Sequence, residues 1–96
     1  MTEEQLQVIQ WEIENVFYYV SYPDNIAANL WKDGGGNINF MDEMTLDHLK
    51  ASIKKIESDI KKLKLRRRGA VSDAIVPLAE QKIDELNEVF QLKAKA

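Results

Sequence analysis

The fold is decided by residues 45–63, TLDHLKASIKKIESDIKKL. Apolar side chains recur there at alternating intervals of three and four residues, the spacing of one face of an α-helix. Thr45 is a suitable N-cap, and Asp47 lies in the first turn, where a negative charge suits the positive end of the helix dipole. The pattern predicts a central helix whose apolar seam has the heptad spacing of a coiled coil. That seam consists of Leu46, Leu49, Ile53, Ile56, Ile60 and Leu63.

The residues that follow predict a second long helix. Gly69 is expected to stop the central helix directly after its basic last residues. A final helix is expected to begin near Ser72 and Asp73, with Pro77 close to its first turn, where a missing N–H does little harm. Because only residues 69–71 separate the two helices, we expect an antiparallel helical hairpin. The apolar residues of the final helix are Ile75, Ala79, Ile83, Leu86 and Phe90.

The stretch before the central helix predicts a short β-hairpin. Ile38 and Phe40 alternate with asparagines, the period of two that is typical of a half-buried strand. We expect strands over residues 26–31 and 37–41, joined by turn residues 32–36. An isolated two-stranded hairpin is marginal in water, so it must pack on a helix or pair across a subunit boundary.

The N-terminal residues predict a first helix with a wide apolar surface. Thr2 is a plausible N-cap, and residues 22–25, YPDN, are expected to end the helix. One apolar stripe comprises Leu6, Ile9, Ile13, Val16 and Val20. Aromatic side chains lie off this stripe, which indicates contact on a second face. The residues predicted to form an oligomer interface there are Trp11, Phe17, Tyr18 and Tyr19.

These elements predict one domain over residues 1–96. The fold class is mainly α with a small β part (α+β): an N-terminal helix, a short β-hairpin and a C-terminal antiparallel helical hairpin. A chain of 96 residues has a small core, and a hydrophobic fraction of 45% is too high for a disordered protein. The small core favours a homo-oligomer in which a second copy completes it. With no signal peptide and no apolar run of spanning length, we expect a cytoplasmic protein.

Side chains able to carry catalysis are few. The chain has no cysteine, which excludes thiol nucleophiles and disulfides, and its single histidine, His48, excludes a two-histidine acid/base pair. Thr45, Asp47 and His48 cannot form a relay, because neighbouring helical residues point about 100° apart. Asp42, Glu43 and Asp47 suit the start of a helix, with a divalent cation as the alternative reading. We therefore predict a non-enzymatic protein with no cofactor and no metal.

Charge is distributed unevenly along the chain. Residues 50–68 contain nine basic and two acidic residues, which leaves +7 on this stretch and −10 on the remainder. We call its end the basic tip, defined as Lys61, Lys64, Arg66, Arg67 and Arg68. No acid lies among residues 62–68, so neutralisation by a neighbour in sequence is not expected.

Two readings of this charge stay open. One is an anion site for a phosphate-bearing ligand or an acidic protein patch. The other is a solvated helix face whose lysines pair with acids of the final helix. Those acids are Glu80, Asp84, Glu85 and Glu88. The acidic remainder of the chain disfavours a long nucleic acid as the ligand.

A further pattern occupies residues 31–56. It reads W-x-D-G, I-x-F and E-M-x-x-x-H-L-x-x-x-I, carried by Trp31, Asp33, Gly34, Ile38, Phe40, Glu43, Met44, His48, Leu49 and Ile53. It resembles a pattern in small proteins encoded by bacteriophages and prophage-bearing bacteria, although Gly35 and Gly36 lengthen the turn here. The resemblance implies a phage-type accessory protein in the host cytoplasm that acts by binding, as inhibitors of host defence and sponges for nucleotide signals do.

The same positions also have a structural interpretation. Trp31 and Phe40 are expected to fasten the β-hairpin onto the central helix. Met44 precedes the N-cap Thr45, where an apolar residue packs back onto the first turns of the helix. His48 is then expected to lie where the hairpin and the helix meet.

The leading functional prediction is a homo-oligomeric binding protein of the phage anti-defence type. It is expected to inhibit or sequester a host protein or a phosphate-bearing small ligand such as a nucleotide signal, using the basic tip and His48, without a membrane. Two alternatives remain. One is a nucleic-acid-binding regulator that uses residues Lys61–Arg68, and the other is a coiled-coil structural adaptor.

Overall fold

The computed structural model describes residues 2–20 and 30–95. It confirms the mainly α class, with an N-terminal helix, a two-stranded β-hairpin and a C-terminal pair of helices. None of the helices within the described ranges is long and apolar enough to cross a membrane. In chain order the elements are α1 (Glu3–Asn15), the 3₁₀ helix η1 (Tyr18–Val20), β1 (Leu30–Lys32), β2 (Ile38–Phe40), the 3₁₀ helix η2 (Met41–Glu43), α2 (Leu46–Arg66) and α3 (Ala70–Lys95).

Helix α1 begins at the predicted cap but ends earlier than expected. The Thr2 hydroxyl accepts a hydrogen bond from the Gln5 N–H, and the Gln5 side chain accepts one from the Thr2 N–H, which forms a capping box. The expected continuation to Val20 is wrong, because the N–H groups of Val16 and Phe17 both donate to the Glu12 carbonyl and the chain then enters η1. The predicted stop at residues 22–25 lies outside the described residues.

This early end allows two neighbouring aromatic residues to enter the core. Phe17 and Tyr19 are both fully buried. On a continuous α-helix, residues two positions apart point about 200° apart, so only one of them could face a single core. The 3₁₀ turn brings both rings to the same side, where they meet edge to face with centroids 5.9 Å apart.

Helices α2 and α3 form the predicted antiparallel helical hairpin. Thr45 caps α2, and its hydroxyl accepts a hydrogen bond from the His48 N–H at 3.2 Å. Helix α3 begins at Ala70, before the predicted Ser72, so Pro77 lies about two turns inside it. Pro77 has no N–H for the carbonyl of Asp73, and because both residues are exposed, water can satisfy that carbonyl.

The heptad seam of α2 is divided into two halves. Leu49, Ile56 and Leu63 are fully buried in the core. The alternate positions Leu46, Ile53 and Ile60 are only partly covered, and Leu46 is 39% exposed. The half-buried Val76, Ile83 and Phe90 of α3 repeat the same heptad spacing. The chain by itself therefore uses only half of its coiled-coil seam fully.

The β-hairpin is present with shorter strands than predicted. Strands β1 and β2 are antiparallel, and Trp31 pairs with Asn39. Cross-strand partners lie on the same face of a sheet, so Trp31 and Phe40 lie on opposite faces. Trp31 is buried and stacks on Tyr19 with ring centroids 5.1 Å apart. The predicted strand residues 26–29 lie outside the described residues.

The predicted role of Phe40 is wrong. Its side chain is 60% exposed, since it follows the face of the strand that is turned away from the core. Met41 and Met44, which lie just beyond β2, are buried instead and connect the hairpin to the helices. Met44 thus has the predicted place before the Thr45 cap, with Leu49 buried in the first turns of α2.

We expect Gly69→Ala to lower the free energy of unfolding by about 1 kcal/mol, because Gly69 has a φ of +81° that a residue with a Cβ adopts at a cost. Urea denaturation measures the change. Gly35→Ala is the matched control, since a Cβ at Gly35 would make only ordinary contacts at 3.5 Å or more. An equal loss in both variants would show that the turn conformation at Gly69 is not the cause.

Candidate binding site

Two arginines of the basic tip bind a buried carboxylate on α1. The Glu12 side chain is 0% exposed, on the inner face of its helix. Arg66 contacts both of its oxygens, and the Arg66 Nε lies 3.2 Å from Oε2. The Arg67 Nε donates to the same Oε2 at 3.2 Å. These ion pairs fasten the end of α2 to the middle of α1.

The pair keeps Glu12 ionised inside the fold. Burial raises the pKa of the Glu12 carboxyl, but its hydrogen bonds and charge interactions with Arg66 and Arg67 lower that pKa by more, so the net value lies below the ordinary one. The hydrogen bond to Glu12 likewise raises the pKa of Arg66. The stability that this pair contributes is therefore present at neutral pH and is lost as pH falls through the lowered pKa of Glu12.

The remaining cations of the basic tip are exposed. Lys61, Lys64 and Arg68 form no ion pair with any described residue. Within the described part of the chain, no ion pair joins the exposed lysines of α2 to the acids of α3 that were expected as partners, and Glu85 contacts Lys82 of its own helix at 3.1 Å. Among the described residues, three of the five cations of the basic tip are thus unpaired. The acids of α3 that were expected as partners do not neutralise them.

An open groove lies beside the basic tip, and we call it the tip groove. It has a volume of about 480 Å³ and is lined by Glu4, Gln7, Val8, Trp11 and Arg67. The indole of Trp11 is 51% exposed. The Arg67 guanidinium beside it is held at Nε by Glu12 and remains partly open to solvent. The tip groove therefore combines an exposed aromatic ring with a cation whose position is fixed.

Two of the four residues predicted for the oligomer interface are not accessible. Phe17 and Tyr19 are fully buried within the chain and cannot form such an interface, while Tyr18 is half-buried. Their burial follows from the early end of α1, which the aromatic spacing alone does not indicate. Of the four, Trp11 alone is largely exposed, and it lies in the tip groove.

Tyr19 is held by a buried polar network. Its hydroxyl donates to Asp59 Oδ2 at 2.8 Å, and Lys55 Nζ lies 3.0 Å from the same oxygen. The Lys55 ammonium also lies 5.3 Å from the centre of the Tyr18 ring. Burial and the neighbouring Asp59 raise the pKa of Tyr19, so its phenol stays a hydrogen-bond donor. These contacts serve the core and leave Phe17 and Tyr19 no role in binding a partner.

His48 is separated from the basic tip. It lies in the first turn of α2, about 27 Å along the helix from Arg66. Its side chain borders two adjacent shallow depressions, and both of these also include Asp33 of the hairpin turn. The Asp33 carboxylate accepts hydrogen bonds from the N–H groups of Gly35 and Asn37. Across the described residues, no three His, Asp or Glu side chains come close enough to hold a metal ion.

Three buried charged residues were missed by the sequence analysis. They are Glu12, Asp59 and Lys82, and each stands at an inner position of an apolar stripe. Asp59, for example, lies three residues after Ile56 and four before Leu63. A charge at such a position requires a buried partner, because an unpaired one is costly. The position of a charged residue on an apolar stripe therefore predicts that the residue is buried, but it does not identify the residue that pairs with it.

We expect Glu12→Gln to lower the free energy of unfolding at pH 7 by about 2 kcal/mol, because the amide leaves two guanidinium groups without a carboxylate. The difference from wild type should shrink as pH falls, since the wild-type carboxylate then becomes protonated as well. Urea unfolding at neutral and acidic pH measures both effects. The exposed Glu14→Gln is the control; a difference for Glu12→Gln that does not change with pH would contradict the ion-pair explanation.

No protein-family model, no curated protein and no solved structure matches this chain. The phage-type pattern of residues 31–56 therefore stays a resemblance. The features of the chain that bear on its function are the side chains of the tip groove and of the basic tip, together with the surfaces that surround them.

Proposed function

We propose that this is a non-enzymatic binding protein that inhibits or sequesters a target protein by holding an acidic segment of it in the tip groove. The observation that carries the proposal is the half-exposed Trp11 beside Arg67, whose guanidinium is fixed by Glu12. The resemblance of residues 31–56 to phage-encoded proteins supports a host factor as the target and the host cytoplasm as the location.

The residue types in the tip groove support protein binding. Tryptophan and arginine are the side chains that most often dominate the energy of protein interfaces. Because Glu12 already orders the Arg67 guanidinium, a partner loses little further side-chain freedom when it binds there. Lys64 and Arg68 lie close in sequence to Arg67 and are exposed, so they favour an acidic partner and speed its approach.

The shape of the tip groove favours a protein over a small ligand. Sites for small molecules are concave and cover most of the ligand surface, whereas the tip groove is open and formed by five side chains. A nucleotide signal is the second candidate, since the indole can stack on a base and the neighbouring cations can bind phosphate. A nucleic-acid regulator has less support, because the acidic remainder of the chain, with a charge of −10, repels a long phosphate backbone.

We expect Trp11→Ala to weaken target binding by about 30-fold, because a central tryptophan typically contributes about 2 kcal/mol to an interface. The target is identified first, by quantitative mass spectrometry of proteins captured from a bacterial extract by the wild-type chain. Its affinity for the purified wild-type and variant chains is then measured by calorimetry. Raising the salt concentration should weaken the wild-type complex, since exposed cations contribute to it.

Leu78→Ala serves as the matched control, because Leu78 is another exposed apolar residue, 44% accessible, on α3. Its affinity for the target should equal that of wild type. An unchanged affinity of the Trp11→Ala chain would remove the tip groove from the site. Binding of ATP that is lost in Trp11→Ala and in Arg68→Glu would instead favour the nucleotide candidate.

A further inference from the structure

One face of the α2–α3 hairpin carries a half-covered apolar ladder. We call it the outer face. It consists of three heptad-spaced residues of α2 and three of α3. They form three pairs, and in each pair the α2 residue and the α3 residue are the same number of residues away from Arg68. Because the two helices are antiparallel, the members of a pair lie at the same height along the hairpin. The pairs are Leu46 with Phe90, Ile53 with Ile83, and Ile60 with Val76.

The α2 half of the outer face lies away from the polar contacts that α2 makes with α1 and η1. Those contacts come from Lys55, Asp59 and Arg66. Successive helical residues are about 100° apart, so Ile60 points about 100° away from Asp59, and Ile53 about 160° away from Lys55. On α2, the side chains that form these contacts therefore point away from Ile53 and Ile60, which is consistent with the partial exposure of those two residues.

Opposite charges border the two sides of this ladder. On the α2 side, the residues that directly follow a ladder residue or lie one turn after it are four lysines and two acids with a net charge of +2: Lys50, Lys54, Lys61, Lys64, Asp47 and Glu57. On the α3 side the bordering residues are acidic: Asp73, Glu80 and Asp84. All nine are exposed, and none of them forms an ion pair with another described residue. The α2 edge of the outer face thus has a net positive charge, and the α3 edge has a negative one.

We propose that the outer face binds a second copy of this chain, with α2 of each copy against α3 of the other around a two-fold axis parallel to the helices. Rotation about this axis places the positive edge of each copy against the negative edge of the other. It leaves every residue at the same height along the helices. Lys54 then meets the acidic region around Glu80 and Asp84 of the other copy, and Lys61 meets Asp73. An interface around a two-fold axis uses the same surface of both copies, so this surface has to be complementary to itself.

The charges also select this arrangement over the other two-fold packing. An axis perpendicular to the helices would place α2 against α2, so that lysines of one copy would face lysines of the other, and this repulsion disfavours that packing. With the axis parallel to the helices, the three apolar pairs of both copies come together in one layer. The result is a four-helix arrangement in which the second half of the heptad seam is covered.

The area of the outer face suits a stable dimer. Helix α2 has 21 residues and is therefore about 30 Å long. Two packed helices are about 20 Å wide, so the face covers roughly 600 Å² per copy and a dimer buries about 1,200 Å² in total. That is the lower end of the range for specific interfaces. This dimer does not depend on a target in the tip groove and replaces the predicted interface of Phe17 and Tyr19.

The test uses two charge-reversed variants of the full chain, Lys54→Glu/Lys61→Glu and Asp73→Lys/Glu80→Lys/Asp84→Lys. The wild-type chain should have twice its 11.1 kDa mass by size exclusion with light scattering. Each variant alone should be monomeric, with the dimer dissociation constant raised by at least about 100-fold, because equal charges then face each other. An equimolar mixture of the two should form a dimer again, since both edges are complementary in the mixed pair.

Lys62→Glu/Lys95→Glu is the matched control, with the same change of net charge at exposed positions away from the ladder, and it should remain dimeric. A monomeric wild-type chain at millimolar concentration would overturn the proposal. So would dimers of either variant alone as tight as wild type, or a mixture of the two variants that stays monomeric. None of these measurements requires the target protein, so failure here is distinguishable from failure of the tip groove.

Discussion

The ion pair of Glu12 with Arg66 and Arg67 is the interaction on which the shape of the binding end depends. An ionised carboxylate with no exposed surface is costly unless it is fully paired. Arg66, the last residue of α2, and Arg67, which caps that helix, meet that requirement, and in doing so they hold α1 across the end of the helical hairpin. The same contacts place Trp11 and the Arg67 guanidinium in one groove. Arg67 therefore has two roles: it stabilises the fold through Glu12, and it lines the tip groove.

The aromatic residues after α1 complete the core from the same side. Because α1 ends at Asn15, Phe17 and Tyr19 both turn inward, and Tyr19 packs between Trp31 of the hairpin and the buried Asp59 of α2. The β-hairpin, which would be marginal alone, is thereby attached to the helices through stacked rings and buried methionines. These side chains form part of the core. The small size of the chain had led us to expect that a second copy would complete it.

The rest of the chain covers the helical hairpin from one side, and apolar residues on its other side stay partly exposed. The fully buried half of the seam, Leu49, Ile56 and Leu63, lies in the core, whereas Leu46, Ile53 and Ile60 keep partial access to solvent. A heptad seam is used completely only when helices pack on both of its flanks. The size of the chain therefore still favours self-association, but through the outer face and not through the aromatic residues after α1.

The sequence by itself determined the elements whose signals are local. Heptad spacing, the Thr45 cap and the stop at Gly69 predicted the helical hairpin, and alternation with glycines predicted the β-hairpin. Only the tertiary structure decided which charges and rings are available. Arg66 meets Glu12 across 54 residues of sequence, and the register of Trp31 with Asn39 turns Phe40 outward. Such pairings depend on packing between distant segments, which no local spacing specifies, so the basic tip could be located from sequence but its free charges could not.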